Sequence, residues 1–162
     1  DESGAELPDS EWFYGQHDPE YTEDGRVLLH DNGTDRPGGE YSRVAEFQID
    51  LDAETVTKLW DWTEAGWFNP IVGDADRLPN GNVLITKGYT WCLQFSGDNS
   101  AIVEIDPETG GVPWRLDLRN DERLTYRAER VDGCDMFSNT LYCPELLDRI
   151  DGLMAGEILP GE

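Results

Sequence analysis

The sequence predicts an all-β chain made of β-propeller blades, followed by a short C-terminal helix. It repeats itself: His17-Asp18 and Asp24-Gly25-Arg26-Val27-Leu28-Leu29 are answered by Gly73-Asp74 and Asn80-Gly81-Asn82-Val83-Leu84-Ile85, with Gly25 to Gly81 a step of 56 residues. The later parts keep step, since Val44–Asp50 is echoed by Ile102–Asp106 and a Trp-bearing run follows each, at Trp60 and Trp114. Within each copy, short β-rich runs are separated by Gly, Asn, Asp and Pro turns. A period of about 50 residues built from such strands is the signature of propeller blades.

The elements follow in order. Residues 1–11 are polar and acidic and read as a lead-in or linker, and Glu11-Trp12-Phe13-Tyr14 is an aromatic approach to the first copy. Gly25 to His30 is a strand launched from the Asp24-Gly25 turn and stopped by Asp31-Asn32-Gly33, because Asn and Gly tolerate positive φ. The stretch to Gly39 is loop; Tyr41 to Asp50 alternates as a half-buried strand and Thr55 to Trp62, rich in β-branched and aromatic residues, is a third. After a loop around Asn69-Pro70, a Leu78–Asn82 turn leads into Val83–Thr86, then come Ser100–Asp106, a turn at Pro107–Gly111, and Val112–Leu118. A third unit starts at Tyr126–Val131, so blades occupy 12–131, with copies at 17–62 and 73–118. In the tail, 132–162, Leu146, Leu147, Ile150 and Met154 share one helical face. A propeller closes with typically 4 to 8 blades, so two leave bare edges. The chain is therefore the distal part of a larger propeller, or a short relative whose edges another copy or segment must cover.

Composition narrows the partners. The 162 residues carry 35 acidic and 12 basic side chains, a net charge of -23, scattered through every segment. Such a field repels nucleic-acid phosphates and anionic lipid heads, which argues against both. A salt-adapted source accounts for it, since net charge preserves solubility where salt screens ordinary repulsion; ordinary acidic solubility is the other reading. No apolar run approaches the roughly 20 residues that span a bilayer, and the first residues do not read as a signal peptide. Cys92, Cys134 and Cys143 show no metal spacing; the last two could bridge in an oxidising compartment, and Cys92 reads as a buried thiol.

The run His17-Asp18, Gly25-Arg26-Val27-Leu28-Leu29, Asp31-Asn32-Gly33, Arg36, Tyr41-Ser42-Arg43-Val44 and Ile49-Asp50, then Val56 and Trp60, resembles the later blades of the arylsulfotransferases that use no nucleotide sulfate donor. Leu78–Asn82, Glu104-Ile105-Asp106 and Tyr126-Arg127-Ala128 continue the resemblance, which covers roughly residues 12 to 131. It implies a six-bladed, extracytoplasmic propeller that moves a sulfuryl group from a phenolic sulfate to another phenol, through a sulfated histidine and with no cofactor. The chemistry suits the residue types: imidazole is a nucleophile near neutral pH, and an arginine holds sulfate oxygens as a planar fork.

By this resemblance His17 contacts the substrate and Arg36 binds the sulfate; Arg43, Tyr126 and Arg127 join them as substrate-binding candidates. The residues themselves allow other readings: His17 as a histidine at the strand entry, Arg36 paired with Asp31 or Asp35, Arg127 paired with Glu129, Glu122 or Asp132. The family's nucleophilic histidine is expected in the second copy, yet Thr86–Trp91 has none, and His17 and His30 are the two histidines of the chain. His17 and His30 are thus the catalytic candidates, with packing on a neighbouring blade as the other reading of His30. Asp74 and Asp76 read as loop residues short of the oxygen ligands a calcium loop needs, so no metal is expected. Trp60, Trp62, Trp67 and Trp114 are assigned to packing between blades. Besides sulfuryl transfer, the sequence allows a non-catalytic propeller that binds a small ligand or a protein; a quinone-dependent propeller enzyme lacks matching residues.

Overall fold

The computed structural model of the protein describes residues 6–22, 24–88, 100–118 and 125–131. Within them lie eight strands: β1 (Gln16–Tyr21), β2 (Arg26–Asp31), β3 (Arg43–Asp50), β4 (Thr55–Trp62), β5 (Asp74–Arg77), β6 (Val83–Thr86), β7 (Ser100–Ile105) and β8 (Trp114–Leu118). They make two four-stranded antiparallel meanders in chain order, β1 to β4 and β5 to β8. These are the two blades of the repeat. Both lie in the compact unit Asp1–Glu129, and Arg130–Glu162 forms a second unit. The helix expected after Pro144 and the three cysteines lie outside the described residues. Residues 125–131, read as a third unit, contain no strand.

Burial rises toward the middle of each meander. Strands β2, β3, β6 and β7 are buried over most of their length, whereas β4 and β8 are mixed or exposed. Central strands covered on both faces read as near-continuous apolar runs, which is why these segments were the easiest to recognise. One core lies between the blades: Leu28 and Val44 meet Ala75, Val83, Ile85, Ala101, Val103 and Ile105, with Trp67 buried beside them and Trp60 and Trp62 packed against the cluster. At about 1.5–3 kcal/mol per fully buried aliphatic side chain, this cluster is the main force joining the blades. Trp114 departs from the expectation: it stands on β8 with 46% of its surface exposed.

A second core covers the other face of the first blade. Leu29, Ala45 and Phe47 pack with Val27, Val56, Leu7 and Phe13. The stretch read as a lead-in therefore supplies apolar side chains to the fold. Two further strands, β1 and β5, were not recognised in the sequence, and they touch across the blade boundary. Strand β1 is bulged between His17 and Glu20, where Asp18 takes φ 46° and Pro19 follows. Proline has no N–H for the ladder and aspartate tolerates the left-handed region, so the bulge falls where the sequence allows it.

Candidate active site

The bulge of β1 carries His17 and Asp18. His17 is partly buried and pairs across the ladder with His30. Its Nδ1 lies 2.6 Å from Asn32 Oδ1. Asn32, fully buried just past β2, is itself held: Nδ2 donates to Asn69 O at 2.6 Å and to Val72 O at 2.8 Å. Those carbonyls belong to the loop between the blades, which Ser42 also grips. Asn69 N donates to Ser42 Oγ at 2.7 Å, and Ser42 Oγ donates to Asn32 O at 2.9 Å.

Beside His17, Asp18 joins Asp74 and Asp76 of β5, with carboxylate oxygens of the three within 4.8 Å of one another. The two β5 residues, read in the sequence as loop, are strand residues brought to Asp18 across the blade boundary. Arg127 crosses the group: its Nη2 is 3.2 Å from Asp18 Oδ1, and its Nε is 3.5 Å from Asp74 Oδ2 and 2.9 Å from Glu129 Oε1. Burial, together with Asp18 and Asp76, pushes the Asp74 carboxyl from 3.8 up to about 8, and burial also raises Asp76. Asp74 is thus a neutral acid at pH 7. Among the described residues these three carboxyls are the set that could hold a cation. A guanidinium on two of them and a proton on one already offset their charge.

Arg36 and Arg43 sit elsewhere, behind Asn32. Both grip buried Asp31: Arg36 Nη2 donates to Oδ2 at 2.5 Å and Arg43 Nε at 2.9 Å. Arg43 spends its other four N–H groups on Asp61 Oδ2 and on the carbonyls of Ser10, Glu11 and Trp12. All five donors of its fork are therefore engaged. Arg36 donates to Trp12 O at 3.1 Å and lies 4.4 Å from the Tyr41 ring centroid. Asp31 Oδ1 accepts from the backbone N–H of Tyr14 and of Gly33. The Asp31 pairing of Arg36, one reading of the sequence, is the one seen, and neither guanidinium reaches the surface.

His30 is wholly buried, and neither ring nitrogen has a hydrogen-bond partner among the described residues. It stacks edge-on to Trp67 with centroids 5.3 Å apart. Burial, helped by nearby His17, pushes its pKa from 6.5 down to about 4, so the ring is neutral at pH 7. Tyr126 is exposed next to Arg127. The structure thus gathers Asp18, Asp74, Asp76 and Arg127 at one place, puts His17 next to Asp18 on β1 with its ring on Asn32, and leaves Arg36, Arg43 and His30 buried in internal contacts. Sequence reasoning missed Asn32, Asn69 and Asp18. Asn32 sits in an Asp-Asn-Gly run whose turn role hides any other, and the repeat step that makes Asp18 and Asp74 equivalent positions does not say that their side chains meet.

The arylsulfate sulfotransferases AssT of Escherichia coli O6:H1 (strain CFT073) and of Lelliottia amnigena are 28% and 29% identical to this chain over 147 residues. That covers 82% of this chain and 25% of each relative, so the chain spans about a quarter of their length. The model of the arylsulfotransferase (ASST) family matches residues 6–127, through both blades and up to Arg127. With that match over most of its length, the chain belongs to the arylsulfotransferase family.

Proposed function

We propose that this chain is the distal part of a six-bladed propeller that moves a sulfuryl group between phenols, with His17 as the nucleophile. The observation that carries the reading is the state of the His17 ring. Its Nδ1 is anchored on Asn32, and no described residue engages Nε2. In the first step Nε2 forms a bond to sulfur while the sulfur–oxygen bond to the donor phenol breaks. The phenolate leaves with that electron pair and takes a proton from water. In the second step the acceptor phenol gives its proton to the hydroxide that the first step left in solution, its oxygen bonds to sulfur, and the N–S electron pair returns to Nε2. No cofactor enters, and splitting the transfer in two gives ping-pong kinetics.

Arg127 is the cation we assign to the sulfate, since it is exposed beside Asp18, and Tyr126 flanks it for the aryl ring. Arg36 and Arg43 act through the corner they hold, and His30 acts in packing; their burial and internal pairing support this assignment. The exposed Trp114 and Leu116 of β8 support a further blade covering that face. We assign the protein to an extracytoplasmic compartment on the strength of its family. No helix among the described residues is long and apolar enough to cross a membrane.

The test is transfer from 4-nitrophenyl sulfate to a second phenol by the full-length protein in molar salt. Acceptor-dependent nitrophenolate release, with a sulfated His17 peptide recovered after quenching without acceptor, is the expected result. A folded preparation that releases nothing would favour a binding propeller, for which the lack of a histidine in Thr86–Trp91 would then be the reason.

A further inference from the structure

We propose that Asn32 is a positioning residue that locks His17 in the tautomer protonated on Nδ1 and so presents the Nε2 lone pair; this rests on the sulfuryl-transfer reading above. The argument is one of elimination. A side-chain amide has one end that only donates and one that only accepts. The Asn32 end nearest the loop between the blades meets two backbone carbonyls, Asn69 O at 2.6 Å and Val72 O at 2.8 Å. Carbonyls only accept, so that end is the NH2 group, and the opposite end facing His17 is the oxygen. An amide oxygen cannot donate. The 2.6 Å contact therefore requires the proton on His17 Nδ1.

Turning the amide over would set its oxygen against two carbonyl oxygens at a fully buried position. It would lose two hydrogen bonds with no water to replace them. The carbonyls cannot swing away to allow it. Val72 O also accepts from Asn69 Nδ2 at 2.5 Å, and the Asn69 backbone is pinned where its N–H donates to Ser42 Oγ at 2.7 Å. The frame that orients Asn32 is itself closed.

The choice of an amide has a chemical consequence. A carboxylate at this position would fix the same tautomer and also favour the imidazolium, which has no lone pair for sulfur. The amide fixes the tautomer without adding charge. Once sulfur is bonded to Nε2 the ring becomes cationic, and its Nδ1–H donates more strongly to the same oxygen. The contact is therefore tighter in the intermediate than in the resting enzyme, as a group that speeds the reaction must be.

Long-range proton–nitrogen NMR of uniformly 15N-labelled full-length protein tests the lock directly. The chain has two histidines, and His17→Gln assigns the signals. The expected neutral form of His17 has a protonated Nδ1 and a bare Nε2. In Asn32→Ala the protonated Nδ1 form is lost as the dominant tautomer, and kcat falls about 10- to 100-fold, as when the partner that orients a functional histidine is removed, with KM nearly unchanged. A wild-type His17 protonated mainly on Nε2 would overturn the proposal without any variant, and so would an Asn32→Ala enzyme with wild-type kcat. Wild-type protein with the expected tautomer but no transfer to any phenol would overturn the sulfuryl-transfer reading and leave the lock standing.

Discussion

His30 and Gly73 approach so closely that a Cβ on the glycine would fall 2.3 Å from the His30 Nε2 and 2.5 Å from two ring carbons. Gly73 also has φ +130°, which side-chain-bearing residues rarely adopt. Replacing it with alanine strains the backbone and overpacks the seam between the blades. We expect Gly73→Ala to destabilise the protein by about 3 kcal/mol or more in chemical denaturation. His30→Ala in the same chain should return part of that loss, giving a non-additive double-mutant cycle. Additive effects would mean that the ring does not set the spacing.

Stability should bend with pH on both flanks, with opposite signs. The His30 pKa drops from 6.5 unfolded to about 4 folded, so its contribution is present above pH 6.5 and is lost as pH falls toward 4. The Asp74 pKa rises from 3.8 to about 8, so its contribution is present below 3.8 and is lost as pH rises through 8. Between pH 6.5 and 8 only the second of these slopes acts. Denaturation midpoints in that window should fall with pH in the wild type and lie flat in Asp74→Asn.

The same carboxyl should govern activity at high pH. When Asp74 ionises above about pH 8, a negative charge appears beside Arg127, where the proposed reaction puts the anionic sulfate ester. KM for 4-nitrophenyl sulfate is expected to rise above that pH in the wild type and to rise much less in Asp74→Asn. Parallel pH profiles for the two enzymes would remove Asp74 from the site.

Removing Asp31 leaves two buried guanidiniums facing each other without their shared carboxylate. Breaking a buried pair in this way costs about 3–5 kcal/mol, and Asp31→Ala should lose at least that in urea denaturation. Because the pair is shielded from solvent, raising the salt concentration should not restore the loss. Arg36→Ala should likewise register first as lost stability, with activity lost only in proportion to unfolding. A stable Arg36→Ala protein without activity would return Arg36 to the substrate.

How much of this was legible depended on which residues face apolar neighbours. Strands β2, β3, β4, β6, β7 and β8 announced themselves through β-branched and aromatic runs between glycine turns. Strands β1 and β5 did not, because Gln16–Tyr21 and Asp74–Arg77 are largely polar and one of them holds Pro19. The site sits on those two strands and was hidden with them. His17 and Arg127 were named from the sequence as single residues, but the Asp18 and Asp74 carboxyls that meet Arg127 come together only when the blades pack. Arg36 and Arg43 show the reverse difficulty. A basic residue near a sulfate-binding motif looks the same in sequence whether its fork faces a ligand or, as with Arg43, five internal acceptors.

Three of the Arg43 contacts go to the backbone oxygens of Ser10, Glu11 and Trp12, and a peptide carbonyl is the same whatever side chain follows it. The clamp therefore recognises the path of this segment and is indifferent to its spelling at Ser10 and Glu11. Among orthologues those two positions should drift freely while Asp31 and Arg43 change only together.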